Sequence, residues 1–257
     1  MYPEIFGIID TYSVMILIGV IFCLWFLSLY LKKKKYPKQA IYGIELNAIV
    51  AILVGVVTGL LFQNLYDFIE KGDAYTWTWA MTFYGGLIGG VISFLVGYFA
   101  VLRRKYFPMV KELLVIAPSC ITIAHGLGRI GCFLAGCCYG KETDAWYGVQ
   151  FPGMDRKVIP VNLFEAIVLI ALALVLLFLA LKEKGLFNFG IYMVVYGVWR
   201  FVAEMWRGDH RGEFVGNLSP SQFWSIVLFV GGVAYFVVMG ILLAKGKAPK
   251  PTDHVAS

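Results

Sequence analysis

The sequence predicts an all-α integral membrane protein with seven transmembrane helices, its N-terminus outside and its C-terminus in the cytoplasm. Hydrophobic residues make up 60% of the chain and charged residues only 15%, whereas soluble domains have about 25% charged residues. Apolar runs of about 20 residues recur along the chain, which is the length needed to cross a bilayer. Lys and Arg gather in the short loops between these runs, so the net charge of +6 indicates membrane anchoring and no nucleic-acid partner.

Seven apolar runs define the predicted spans, and each is long enough to cross the hydrocarbon core. We predict one polytopic domain over 1–245 and a polar, disordered tail over 246–257. The first run lacks a basic start and a small-residue cleavage site, so we expect it to be retained. The seven spans are 12–31, 42–65, 80–102, 112–138, 161–181, 188–206 and 221–244.

The loops alternate in charge, and this alternation predicts the orientation. Fourteen Lys and Arg residues follow the odd-numbered spans, and six lie in the other loops and at their ends. Cytoplasmic loops carry the excess of basic residues, so the N-terminus is predicted to be outside. The loops 139–160 and 207–220 then face outward, together with the adjoining ends of spans four and six.

Span four contains an arginine where the chain should be apolar. A charge in hydrocarbon costs at least about 2.5–3.5 kcal/mol, so it persists only where it is paired, hydrated or used. Arg129 shares one helical face with His125 and Cys132. Gly128 beside it removes side-chain bulk, which permits close approach of a ligand or of another helix. With an arginine among the glycines, a polar site is favoured over a purely structural contact.

Span six has a second set of charges. Tyr196, Arg200 and Glu204 are spaced four residues apart on one face, and Arg207 continues that face to the membrane edge. Arg200 and Glu204 could simply neutralise each other. Arg129, however, has no acidic partner within its own span. Several arginines sharing a site with few acids suggest an anionic ligand, and the guanidinium fork suits phosphate, here of a lipid headgroup.

The first turns of spans three and five add further candidates. Tyr84 precedes the pair Gly85 and Gly86, which could expose backbone amides to a ligand or allow tight helix contact. Asn162 and Glu165 lie in the first turns of span five, close to the outer boundary. We expect Glu165 to pair with an arginine.

The start of span seven reads as a capped helix. Ser219 is predicted to be the N-cap and Pro220 the first helical residue. This reading is structural, although Gln222 could reach the same site.

Three of the five cysteines cluster near one membrane boundary. Cys132, Cys137 and Cys138 could bind a metal, form a disulfide or do neither, whereas Cys23 and Cys120 lie in apolar surroundings typical of core residues. No second Cys or His pair occurs elsewhere to complete a zinc site. We therefore expect no metal and no cofactor.

The order of these motifs resembles the prolipoprotein diacylglyceryl transferase family of bacterial inner membranes. Each piece alone is weak, but the combination is specific and covers most of the chain from span three onward. The pieces are Phe83–Gly89, Gly128–Phe133, Ile159–Glu165, Tyr196–Arg200 with Glu204 and Arg207, and Leu218–Gln222.

The resemblance implies transfer of the diacylglyceryl group of phosphatidylglycerol to the lipobox cysteine thiol of a preprolipoprotein, with release of glycerol phosphate. It implies a multi-pass protein of the bacterial inner membrane with its active site towards the outer leaflet, and we expect a monomer. By resemblance, Arg129 and Arg200 hold the lipid phosphate and stabilise the departing charge. Glu204 orients an arginine, and Tyr196 lines the site.

The chain departs from the family pattern at three positions. A histidine usually precedes the glycine pair, where this chain has Tyr84, and we expect Tyr84 to be one of the catalytic residues. An asparagine is often found where Cys132 stands, and a glutamate is expected near Cys137. The acceptor thiol, with a pKa of about 8.5, needs a base. We hypothesise that His125 supplies it, since its unperturbed pKa of about 6.5 suits that role.

These departures keep two alternatives open. A divergent relative could use the same phospholipid site with a different acceptor, in which case the clustered cysteines would shape that pocket or act as nucleophiles. A non-catalytic lipid-binding or transport protein is the other alternative, and the retained intramembrane charges argue against it. A retinal-type receptor is disfavoured because span seven has no lysine for a Schiff base.

Overall fold

The computed structural model describes residues 4–5, 9–72, 75–79, 81–102, 109–208 and 218–246. These residues are mainly helical, so the predicted all-α class is confirmed. Two two-residue strands, β1 (Glu4–Ile5) and β2 (Ile9–Asp10), pair antiparallel. The seven α-helices of this part of the chain are α1 (Thr11–Lys33), α2 (Lys38–Lys71), α3 (Phe83–Gly97), α4 (Met109–Ala135), α5 (Val161–Leu181), α6 (Asn188–Met205) and α7 (Pro220–Ala244).

Six of these helices, all except α3, are long and apolar enough to cross a membrane. Each coincides with a predicted span, so the prediction of a multi-pass membrane protein is confirmed. The helix α3 has 15 residues and continues into a π-helical turn at Tyr98–Leu102. Fifteen residues extend about 22 Å, which is short of the roughly 30 Å hydrocarbon core. The third crossing therefore stays a prediction, as does the orientation. The predicted disordered tail falls almost wholly outside the described residues.

The chain forms two compact units. One comprises Met1–Tyr30 and Lys111–Asp253, and the other comprises Leu31–Val110 and His254–Ser257. The first unit contains most of α1 and α4, together with the whole of α5, α6 and α7. The second contains α2 and α3.

In the second unit, α2 and α3 meet through glycines. A Cβ added at Gly55 would lie 2.9 Å from the carbonyl oxygen of Gly86, and a Cβ at Gly86 would lie 3.1 Å from that of Gly55. A Cβ at Gly85 would lie 2.6 Å from that of Phe62, and the Thr58 hydroxyl donates to the Gly85 carbonyl at 3.0 Å. Small residues allow this close approach of two backbones. Gly85 and Gly86 therefore have the helix-contact role that was one of their two expected roles.

In the first unit, the glycines of α4 allow neighbouring helices to come close. A Cβ at Gly126 would lie 2.9 Å from the Ile170 side chain of α5. Gly128 and Gly131 face α1, and a Cβ at Gly128 would lie 3.3 Å from the tip of Ile16. The residues around Arg129 are thus held between α1 and α5, which fixes where the arginine emerges.

The start of α7 has the predicted cap. Ser219 is the N-cap, and its hydroxyl accepts a hydrogen bond from the Gln222 backbone N–H at 3.2 Å. The Gln222 side chain accepts one in return from the Ser219 backbone N–H, which completes a capping box. Pro220 occupies the first turn, as predicted.

Candidate active site

Glu165 lies at the centre of a buried charge cluster in the first unit. Its side chain is fully buried near the start of α5. The carboxylate Oε1 accepts a hydrogen bond from the Tyr196 hydroxyl of α6 at 2.9 Å. Its Oε2 lies 3.0 Å from Nε of Arg129 on α4 and 3.9 Å from Nη1 of Arg200 on α6. The expected pairing of Glu165 with an arginine is confirmed, and a single carboxylate connects three helices.

Arg200 has a second carboxylate partner one helical turn along α6. Its Nη2 lies 2.9 Å from Oε2 of Glu204 and donates to the Ser221 hydroxyl at 3.0 Å. The Ser219 hydroxyl donates to the other oxygen of Glu204 at 3.0 Å. The Arg200–Glu204 neutralisation weighed as an alternative is therefore present, and the first turn of α7 fixes both side chains.

The two serines are site residues that sequence reasoning missed. Ser219 was identified only as a helix cap, and Ser221 was not singled out. A signal was available, because a single loop joins the C-terminal end of α6 to the N-terminal end of α7. Hydroxyl groups in the first turn of α7 could therefore have been predicted to lie near the charges in the last turns of α6.

The contacts of the two arginines with Glu165 are ion pairs. Glu165 and Glu204 balance the charges of Arg129 and Arg200, so these four residues lack the positive excess that the sequence suggested. Yet Arg129 Nε and Arg200 Nη1 are buried and have no hydrogen-bond partner among the described residues. Their contacts with Glu165 are ion pairs without hydrogen-bond alignment. The Arg129 side chain is still 19% exposed, so a ligand has access to it.

His125 joins the same cluster through an aromatic contact. Its ring lies 5.2 Å from that of Tyr196, edge to face, and Tyr192 stacks on Tyr196 at 5.9 Å. The predicted common face of His125 and Arg129 therefore points towards α5 and α6. Arg129 contacts Glu165 of α5, and His125 contacts Tyr196 of α6.

The segment after α4 is held by Asn162 and the Arg207 backbone. The Asn162 side-chain amide donates to the Cys137 carbonyl at 2.7 Å. Arg207 is buried, and its backbone pairs with Gly140 in an isolated bridge. Asn162 was expected to bind substrate, and in this structure its amide fixes the loop. Cys132 and Cys138 are brought together with Cys137, their three sulfur atoms all lying within 4.8 Å of one another.

Three expected site residues lie in the second unit. Gly85 and Gly86 belong there and contact α2, as described above. The side chain of Tyr84 lies outside the described part of the structure, so its expected role stays a prediction.

Comparison with known proteins identifies the family. A family model described as prolipoprotein diacylglyceryl transferase matches residues 4–238. The chain is 34% identical over 250 residues to a phosphatidylglycerol–prolipoprotein diacylglyceryl transferase of Clostridium tetani (strain Massachusetts / E88), covering 91% of this chain and 94% of that relative.

Two further relatives have the same printed function. A second enzyme of that name, from Clostridium perfringens (strain 13 / Type A), is 33% identical over 253 residues, covering 91% of this chain and 92% of the relative. One from Pseudoalteromonas atlantica (strain T6c / ATCC BAA-1087) is 27% identical over 253 residues, covering 91% and 88%. The buried Arg129–Glu165–Arg200 cluster therefore stands in a chain that belongs to the prolipoprotein diacylglyceryl transferase family.

Proposed function

We propose that this chain transfers the diacylglyceryl group of phosphatidylglycerol to the lipobox cysteine thiol of a preprolipoprotein and releases glycerol phosphate. Family membership supports the reaction, and the printed names of the relatives give the donor and the acceptor class. The charge cluster is the proposed location of the reaction, because buried charges inside membrane-spanning helices persist where they are used.

The observation that carries the proposal is the meeting of two guanidinium groups at the buried Glu165 carboxylate. Arg129 and Arg200 come from two different helices, both contact Glu165 Oε2 as ion pairs, and the Arg129 side chain is still 19% exposed. A lipid phosphodiester offers oxygen acceptors for such donors, and arginine binds phosphate with directed N–H groups. Donors fixed before the reaction stabilise the charge that develops on the departing glycerol phosphate.

The second ion pair fixes one of these donors. Glu204 and Ser221 both hold Nη2 of Arg200, which fixes the orientation of its guanidinium group. In the reaction, the acceptor sulfur forms a bond to the carbon of the diacylglyceryl group that bears the phosphate ester. The carbon–oxygen bond breaks, and its electron pair leaves with glycerol phosphate. His125 accepts the thiol proton, and its ring contact with Tyr196 positions it beside the cluster.

The remaining parts of the proposal concern the membrane. The chain crosses it seven times with the N-terminus outside, and α3 makes the third crossing together with residues beside it. The active site then faces the outer leaflet. Support comes from the fourteen basic residues after the odd-numbered spans. The protein acts as a monomer.

The test is a transfer assay with purified protein in detergent, phosphatidylglycerol and a synthetic lipobox peptide. Released glycerol phosphate and the mass of the peptide are measured together. The variants are Arg129→Ala and Arg129→Lys, since lysine keeps the charge and loses the fork. Arg156→Gln is the matched control, because Arg156 pairs with Glu142 at the exposed surface. We expect activity in the wild type and the control, and a loss of at least about 100-fold in both Arg129 variants.

Other outcomes separate the alternatives. Glycerol phosphate without a modified peptide would contradict the proposed acceptor and indicate a different one. Neither product, with phospholipid still bound, would contradict enzyme function and favour a lipid-binding protein. Full activity in Arg129→Lys would contradict directed phosphate binding by that residue.

A further inference from the structure

The loop after α4 brings three thiols together at the end of a membrane-spanning helix. The sulfur atoms of Cys132, Cys137 and Cys138 all lie within 4.8 Å of one another. Cys132 is buried, Cys138 is half-buried and Cys137 is exposed. This gradient places one sulfur deep in the protein and leaves one open to an approaching ion. The proposed transfer reaction assigns no role to any of the three.

The backbone of this loop is held in a specific shape. Gly136 and Cys138 both have left-handed conformations, with φ of 74° and 59°. Glycine adopts this conformation readily, whereas cysteine does so only when its surroundings enforce it. Two hydrogen bonds hold the loop in this shape. The Cys137 backbone N–H donates to the Cys132 carbonyl at 3.0 Å, and the Asn162 side-chain amide donates to the Cys137 carbonyl at 2.7 Å. A strained residue held in this way turns its thiol towards the other two.

We propose that Cys132, Cys137 and Cys138 bind one zinc ion as three thiolate ligands, with the fourth position open to an exogenous ligand. Zinc–sulfur bonds of about 2.3 Å in a tetrahedral site require sulfur–sulfur distances of about 3.8 Å. The thiols therefore need to close by about 1 Å at most, which side-chain rotation supplies. Among the described residues, no fourth His, Cys, Asp or Glu joins this group. Three protein ligands and an open position are typical of zinc sites that bind further ligands.

The charges around the cluster suit a bound zinc thiolate. One zinc ion with three thiolates carries a net charge of −1. The guanidinium groups of Arg129 and Arg207 are close enough to act on the charge of Cys138, and they offset that negative charge at the membrane boundary. The expectation of no metal rested on the lack of a second Cys or His pair in the sequence. That argument applies to closed four-ligand sites and does not exclude a site with three ligands.

The test measures metal content, so it is independent of transferase activity. The full-length protein is purified without oxygen or chelators, reduced, incubated with zinc and separated from free metal in detergent. Elemental analysis should give close to one zinc per chain in the wild type and in the control Cys23→Ser, whose cysteine lies elsewhere on α1. Cys137→Ser and Cys138→Ser should lose the zinc, and their thermal unfolding without metal should match that of the metal-free wild type. Cobalt in place of zinc should give intense thiolate-to-metal absorption in the near ultraviolet.

Three results would overturn the proposal. One is a reduced, zinc-treated wild type that holds no zinc. Another is zinc content that the Cys137 and Cys138 substitutions leave unchanged. The third is a disulfide between any two of the three cysteines in protein alkylated at the moment of cell lysis. If the protein binds zinc through these thiols but shows no activity in the transfer assay, the result contradicts the proposed function and leaves the zinc proposal intact.

Discussion

Glu165 and Arg129 form a buried ion pair between α5 and α4, with 3.0 Å between Oε2 and Nε. The pair lies where the sequence showed only an arginine without an acidic neighbour in its own span. Both helices are apolar enough to cross a membrane, and Glu165 is the carboxylate that compensates the charge of Arg129 there. This pair therefore contributes to helix association as well as to the site.

Removing the carboxylate should destabilise the protein strongly. In Glu165→Gln the charges of Arg129 and Arg200 lose their shared partner, and breaking a buried pair costs about 3–5 kcal/mol. We expect a clearly lower midpoint of thermal unfolding in detergent. Glu142→Gln is the control, because the Glu142–Arg156 pair is exposed, with side-chain exposures of 62% and 76%, and such pairs contribute about 0–1 kcal/mol. Equal effects of the two substitutions would contradict the assignment of Glu165 as the centre of the cluster.

The coupling between the two residues is measurable by a double-mutant cycle. Arg129→Gln alone leaves Glu165 facing only Arg200 at 3.9 Å. Arg129→Gln combined with Glu165→Gln removes both charges, so the double variant should be more stable than the sum of the single effects implies, by about 1–3 kcal/mol. Strict additivity of the unfolding free energies would show that the two side chains do not interact.

The serines of α7 should affect stability and activity differently. Ser221→Ala removes a hydrogen bond from Arg200 and leaves the helix cap intact, so we expect a lower transfer rate and nearly unchanged unfolding. Ser219→Ala removes both the contact with Glu204 and the N-cap, which contributes about 1 kcal/mol. Rates and unfolding midpoints are measured for both variants. A Ser219→Ala variant as stable as Ser221→Ala would contradict the separate contribution of the cap.

His125 should be needed for proton removal from the acceptor thiol. We expect His125→Ala to reduce kcat/KM by about 10²–10⁴-fold, the usual contribution of a general base. Tyr196→Phe is the comparison, since it keeps the ring against His125 and loses only the hydrogen bond to Glu165. Its reduction should be smaller. Raising the pH should partly restore the activity of His125→Ala, because the acceptor thiol then ionises without a base. Full activity in His125→Ala would eliminate the general-base hypothesis.

The glycine contact between α2 and α3 should tolerate no added side chain. A Cβ at Gly55 meets the Gly86 carbonyl oxygen at 2.9 Å, a backbone atom that cannot rotate away. Gly55→Ala should therefore lower the unfolding midpoint. The control is Gly240→Ala on α7, where a Cβ meets nothing within 4 Å and alanine favours the helix by up to about 1 kcal/mol. Matching effects of the two substitutions would argue against close contact at Gly55.

The sequence was sufficient for the helices and for part of the site. Apolar runs of spanning length placed six crossings, and the residue types before Gln222 predicted the cap, because both signals are local along the chain. The role of Glu165 as a shared partner was only half predicted. Its choice of Arg129 depends on how α4 and α5 rotate against each other, and that rotation is set by contacts such as Gly126 with Ile170. The hydropathy pattern also could not predict the length of α3, because the apolar run continues past the last α-helical residue.

The Arg129–Glu165 pair also constrains how the chain enters the membrane during synthesis. Glu165 is made 36 residues after Arg129, so α4 reaches the translocation machinery while its partner is still inside the ribosome. An isolated arginine at depth opposes insertion by about 2.5–3.5 kcal/mol. Stable integration of α4 should therefore wait until α5 arrives, and chains cut short between these two helices should be substrates for quality-control proteolysis.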